Sequence, residues 1–168
     1  MDSDEKLVKH LEMIQGVINR LAGNSFAVKG WSATLVSALI AIAVDKNEGK
    51  FVLIALVPAL LFWVLDGYFL WQERLFRGLY GAARLGKLIE PNQMFTMDTR
   101  PYKSTTPSWL RTTFEVNNKQ RPNTLLHFHG ALILCILLAA LLLIGGSARR
   151  IEGQEPSNHS AEKSIIHD

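Results

Sequence analysis

The sequence has a single cysteine, Cys135, and it lies within an apolar run, so an intrachain disulfide is excluded. It has no phosphate-binding loop, no nucleophile elbow and no carboxylate pair at catalytic spacing, which argues against an enzyme. No basic residue precedes a short apolar core at the start, so a cleaved signal peptide is not expected. The 168 residues also leave too little chain for a separate soluble domain.

What the sequence does have is three apolar segments, each close to the roughly 20 residues that a helix needs to cross a bilayer. They lie at 26–44, 51–71 and 124–146, and the second carries one acid, Asp66. Each Leu, Ile, Phe or Val contributes about −0.3 to −0.6 kcal/mol to insertion, against about +3 kcal/mol for one Asp. We therefore predict an all-α integral membrane protein with three transmembrane helices, the first two forming a hairpin within 25–71.

Polar segments surround these helices. Residues 1–24 have helical spacing of apolar side chains and predict an amphipathic cytoplasmic helix, with a break at Gly23-Asn24-Ser25. Residues 72–123 predict a basic cytoplasmic helix that continues the second span to Ile89, followed by a proline-rich interfacial segment. That segment contains one short helix, capped by Thr106. Residues 147–168 have little to bury and are expected to be disordered.

Polar side chains within the spans are the first functional candidates, because they are costly there unless they are paired, protonated or wetted. Asp66 is open to three interpretations: a hydrogen bond between helices, a proton or cation contact, or an ion pair with Lys29. We place it with Thr34 and Ser37 in a candidate set of pore-lining residues.

Small residues recur along the first span at Gly30, Ala33, Ser37 and Ala41. Small side chains at such spacing let helix backbones approach closely in a membrane. This helix-packing face either packs on the second span of the same chain or, together with Thr34, lines a subunit interface or a polar path.

Two further groups of residues are expected at the membrane surface. Basic side chains following the second span are candidates for contact with anionic lipid or an anionic ligand: Arg74, Arg77, Arg84 and Lys87. Trp31, Trp71 and Trp109 are expected to be interface anchors, because indole rings favour the boundary between lipid and water.

Charge placement predicts the orientation. With a cytoplasmic N-terminus, thirteen Lys and Arg residues fall inside and five outside. The positive-inside rule therefore favours a multi-pass protein of the bacterial inner membrane with its N-terminus in the cytoplasm and its C-terminus outside.

No cofactor, metal or nucleic acid is expected. His127 and His129 point to nearly opposite sides of a helix, so one metal ion does not readily take both. The basic residues follow a membrane-proximal helix without a stacking platform for bases, which disfavours nucleic-acid binding.

The layout of residues Leu7 to Ile89, which includes MIQGVINRLAGNSFAVKGWS, resembles the small two-span bacterial membrane effectors of the SLATT kind. The resemblance is architectural, and the third span departs from it. It implies a membrane-permeabilising role in nucleotide-signalling or antiviral defence systems.

The expected function is thus an oligomeric pore-forming or membrane-perturbing effector, with ion-channel character, whose cytoplasmic helices respond to a trigger. Its partners would be the lipid bilayer, further copies of itself, and a cytoplasmic protein or an anionic signal. One alternative is a non-conducting anchor or scaffold that recruits a cytoplasmic partner, and another is a small transporter subunit.

Overall fold

The computed structural model describes residues 2–46, 49–88, 95–114 and 124–152, and these parts of the chain are helical, without a strand. Five α-helices and one 3-10 turn follow in order: α1 Ser3–Asp45, α2 Gly49–Ile54, α3 Leu56–Arg84, the turn Arg100–Lys103, α4 Trp109–Phe114 and α5 Thr124–Glu152. Three stretches are long and apolar enough to cross a membrane: α1, α2 with α3, and α5. The all-α prediction with three such helices is confirmed to this extent.

Helix α1 is one uninterrupted helix of 43 residues, about 65 Å long. The predicted break at Gly23-Asn24-Ser25 is wrong. A glycine inside a helix costs about 1 kcal/mol, which packing on both sides of the position can offset. Ile18 and Val28, which flank it, are both buried. The amphipathic helix and the first span are therefore a single rod.

The second span is interrupted at Ala55, which the sequence analysis did not predict. Pro58 lies three residues further on, lacks an amide N–H and crowds the preceding turn. The Ala55 amide donates to the carbonyl of Val52, three residues back, whereas in a regular α-helix each amide donates to the carbonyl four residues back. Helices α2 and α3 are thus two pieces of one span that meet at a proline-induced break.

Helix α3 leaves the apolar region as predicted but ends at Arg84 rather than continuing to Ile89. Gly86 adopts a φ of 62°, in the left-handed region that closes helices and suits glycine. The short helix α4 begins at Trp109, three residues after Thr106, the residue predicted to cap it.

Helix α5 extends beyond the predicted span, through Glu152. The expected disorder is therefore wrong for 147–152. Residues 153–168 lie outside the described part of the chain, and the prediction for them stays a prediction.

Helices α1 and α3 run antiparallel, and α5 runs antiparallel to α3. We call the end formed by 3–24, 72–88 and 95–114 the polar end. There Ile14 and Ile18 pack on Leu79 and Ala83. Within the apolar part the three helices meet through small and branched side chains: Val36, Ala43, Val52, Ala55, Ala59, Ile136 and Ala140.

Two glycines permit the closest approaches between helices. At Gly49 an added Cβ would lie 2.6 Å from Ile144 Cγ1, so the absent side chain lets α5 contact α2. At Gly67 an added Cβ would overlap the Thr113 side chain, so α4 lies directly on the backbone of α3. These contacts hold α5 at the end away from the polar end and α4 near the polar end.

Candidate functional site: a buried polar cluster between three helices

Asp66 is completely buried and lies in contact with a cation. Its Oδ2 is 2.6 Å from the Nζ of Lys29 on α1, whose side chain is 20% exposed. The hydroxyl of Ser25, one turn earlier on α1, donates to Oδ1 at 2.5 Å and accepts from Lys29 at 2.8 Å. Of the three roles considered for Asp66, the structure contains two, the hydrogen bond between helices and the ion pair with Lys29.

The third helix contributes His129. Its Nε2 lies 3.0 Å from Asp66 Oδ2, and the imidazole is fully buried. An ionised carboxylate can only accept, so Nε2 carries the proton and donates. The other nitrogen, Nδ1, is buried without a hydrogen-bond partner in the described structure. One carboxylate therefore joins α1, α3 and α5.

Aromatic side chains enclose the cluster on the α5 and α4 sides. The Trp63 indole stacks on the His129 ring, with centroids 6.0 Å apart and planes at 8°. Phe114 of α4 packs against Trp63 at 5.3 Å. The Asp66 and His129 side chains are both fully buried, and burial strengthens the electrostatic contacts between them.

This arrangement is chemically suited to holding helices together. Removing one partner of a buried ion pair leaves an uncompensated charge, so the contact opposes separation of the helices that carry the two partners. The described members of the cluster are Ser25, Lys29, Asp66 and His129, and together they link three helices through one carboxylate.

The candidate pore-lining residues are not brought together. Asp66 faces the interior, whereas Thr34 and Ser37 are exposed on the opposite side of α1. The Thr34 hydroxyl donates to the carbonyl of Gly30 at 3.0 Å within its own helix. These three residues therefore do not form a gate within one chain.

The predicted helix-packing face also faces away from the rest of the chain. Gly30, Ser37 and Ala41 are exposed and Ala33 is half-buried, whereas Ser32, Val36 and Ala43 form the buried face. At about 100° per residue, the centres of the two faces lie roughly 125° apart. Packing on the second span of the same chain is thus the wrong alternative for this face.

The exposed side of α1 continues this pattern into the polar end. We call it the small-residue face, and its members are Gly16, Gly23, Ala27, Gly30, Thr34, Ser37 and Ala41. Gly16, Gly23, Gly30 and Ser37 follow each other at intervals of seven residues. Nothing in the described structure lies within 4 Å of a Cβ added at any of its three glycines. This face is open along most of α1.

The four basic candidates behave differently from one another. Arg77 pairs with Glu73 at 2.7 Å, and Arg74 donates to the hydroxyl of Thr112 at 3.3 Å. Arg84 and Lys87 are exposed. Two of the four therefore have partners within the chain.

The three tryptophans lie on different helices. Trp31 is 68% exposed on α1. Trp71 lies beneath the Lys103 ammonium, 5.8 Å from the ring centroid, and Trp109 is half-buried against Tyr68. The prediction that they anchor the protein at an interface stays a prediction.

The sequence analysis did not identify three residues whose side chains form buried or partly buried polar contacts: Ser25, His129 and His10. His10 is buried at the polar end, where its Nε2 lies 2.8 Å from the carbonyl oxygen of Thr96. Its place in the apolar spacing of α1, four residues before Ile14, was the available signal. Among the described residues no group of three His, Cys, Asp or Glu side chains could hold a metal ion.

Comparisons with models of known protein families, with curated proteins and with solved structures find no match.

Proposed function

We propose that the chain is a multi-pass inner-membrane protein that self-associates through the small-residue face of α1 into a pore-forming or membrane-perturbing assembly. The observation that carries the proposal is the exposure of this face along α1. Lipid chains pack beside leucine as well as beside glycine, whereas a second helix backbone approaches closely only where side chains are small. A row of exposed glycines therefore favours a helix as its neighbour.

The buried cluster has a supporting role in this proposal. Because Asp66 is neutralised within the chain, each copy can hold its three helices together before it assembles. Thr34 and Ser37 would then supply hydroxyl groups at the contact between copies. The cytoplasmic orientation of the polar end, the response to a trigger and the kinship with SLATT-like effectors belong to the same proposal.

A matched pair of substitutions tests assembly. Gly23→Leu changes the small-residue face, and Ala22→Leu changes an adjacent exposed residue about 100° away. We expect Gly23→Leu to abolish oligomers in native gels and dye leakage from liposomes, while Ala22→Leu retains both. Leucine also has a higher helix propensity than glycine, so helix loss would not explain the result. Equal assembly and leakage by the two variants would contradict the proposal.

A second candidate function, a membrane anchor that recruits a soluble partner, is favoured by a groove at the polar end. The groove has a volume of about 470 Å³ and lies between α1 and α3; it is lined by Val8, Leu11, Glu12, Gln15, Gly16, Asn19 and Tyr80. Two results together would favour this function. A soluble protein should co-purify with the chain in stoichiometric amount and be lost from the Leu11→Arg variant, and liposomes that contain the chain should not leak.

A further inference from the structure

We propose that the exposed face of α3 and the turn before α4 form a binding site for one anionic phospholipid. The site has two parts, a polar head region around Lys103 and Tyr68 and an apolar strip that descends from it along α3. This site is independent of the small-residue face of α1 and of the proposed assembly.

The head region combines a cation with aromatic rings. Lys103 is exposed and its ammonium lies over Trp71, and Tyr68 packs against Trp71 at 6.2 Å and Trp109 at 6.5 Å. The contact with Trp71 positions the ammonium without neutralising its charge. A fixed, exposed ammonium beside indole rings suits the phosphate of a lipid headgroup.

Tyr68 adds a hydrogen-bond donor to this region. Its hydroxyl accepts from the side-chain amide of Gln72 at 2.9 Å, which leaves the phenolic proton available to donate. A phosphate oxygen is an acceptor that matches it. Tyr68 and Lys103 thus offer two contacts to one phosphate group.

Charge in the surrounding segment favours an anion. Residues 95–114 contain three basic side chains and one acid, Asp98. Asp98 is already bonded to Arg100, with oxygen to nitrogen distances of 2.8 to 3.0 Å. The contacts of Asp98 with Arg100 are stronger than its electrostatic interaction with Lys103, and the segment carries a net positive charge.

The apolar strip identifies the occupant as a lipid rather than a soluble phosphate. Val57, Leu61 and Val64 are exposed and lie on the same side of α3 as Tyr68, within a range of about 60°. From Tyr68 to Val57 the helix rises about 16 Å, close to half of the roughly 30 Å hydrocarbon core. An acyl chain attached to the phosphate would follow this strip through one leaflet.

The test is lipid binding to the detergent-solubilised full chain by native mass spectrometry. Dioleoyl phosphatidylglycerol and dioleoyl phosphatidylcholine have the same acyl chains and differ in net charge. We expect the anionic lipid to bind about fivefold more tightly, as one uncompensated lysine at a headgroup provides. Lys103→Gln should remove this preference, and Tyr68→Phe should weaken binding of both lipids because both contain phosphate.

Lys6→Gln is the matched control, since Lys6 is also an exposed lysine of the polar end but lies near the start of α1, and the preference should survive it. Equal affinity for the two lipids, or a preference that persists in Lys103→Gln, would overturn the proposal. Competition by millimolar inorganic phosphate would also overturn it, because a soluble anion would then suffice.

Discussion

The two faces of α1 differ in what they contact. The buried face carries Ser25, Lys29 and Val36, and each of them contacts α3 or α5 through an ion pair, a hydrogen bond or close packing. The small-residue face has glycines at Gly23 and Gly30 and nothing described within reach of them. One helix therefore carries a complete intrachain interface and, on its other side, a surface that is open to a second helix.

Under the proposed function, this difference would allow one membrane helix to separate folding from assembly. Between helices in lipid there is no hydrophobic driving force, so packing and polar contacts determine which faces meet. The buried face uses the strongest such contact, a charge pair inside the bundle. Substitutions on the two faces should accordingly affect different measurements.

The largest expected effect is on the buried face. Asp66→Leu leaves the Lys29 ammonium without its carboxylate, and removing one partner of a buried pair typically costs about 3 to 5 kcal/mol. Because Lys29 is partly exposed, we expect the lower end of this range in a reversible unfolding measurement in bicelles. The double variant with Lys29→Leu should recover the part of the loss that comes from the unpaired ammonium, whereas Ser25 and His129 lack the carboxylate in both variants. An equal loss in the single and double variants would contradict a specific ion pair.

A smaller effect should distinguish two neighbouring residues of α1. Val36 is buried among the apolar side chains and Leu35 is exposed. In lipid the transfer of a methyl group from water contributes nothing, so Val36→Ala should cost about 1 kcal/mol through lost dispersion contacts alone. Leu35→Ala should change the free energy of unfolding by less than about 0.5 kcal/mol. A larger loss of stability for Leu35→Ala than for Val36→Ala in the same assay would refute the assignment of the buried and exposed faces.

The smallest effect concerns the ion pair of Asp98 with Arg100 at the polar end. This pair is exposed and serves as a reference for the buried pair of Asp66 with Lys29. Hydrogen bonds from Arg100 hold the pKa of the Asp98 carboxyl below its ordinary value. A lowered pKa stabilises the fold above the unfolded pKa of about 3.9, and that contribution disappears as pH falls through the lower folded value. Stability curves of the wild type and Asp98→Asn should therefore differ slightly above pH 5 and converge in strong acid. A difference that grows on acidification would contradict this sign.

Much of the architecture could be predicted because three segments are apolar over the length of a helix that crosses a membrane. Asp66 and Lys29 could be paired in advance, since a single acid within a span requires a partner at similar depth. The choice of His129 over His127 could not be made, because α5 is apolar on all sides and its sequence does not fix which side faces the hairpin.

Two local errors have related causes. The Gly23-Asn24-Ser25 break was expected from intrinsic propensity, but packing on α3 and the bond from Ser25 to Asp66 keep the helix continuous. For the helix-packing face that contains Gly30, two alternatives stayed open. Periodicity identifies a face of a helix but does not show which neighbour contacts it.

The most direct test is disulfide cross-linking in native membranes, with Cys135→Ser as the background to remove the native thiol. Gly30→Cys lies on the small-residue face, and Ser32→Cys lies on the buried face of the same helix. Mild oxidation should yield a covalent dimer of Gly30→Cys and leave Ser32→Cys monomeric. A chain that remains monomeric at position 30, or that cross-links equally at both positions, would contradict association through the small-residue face of α1.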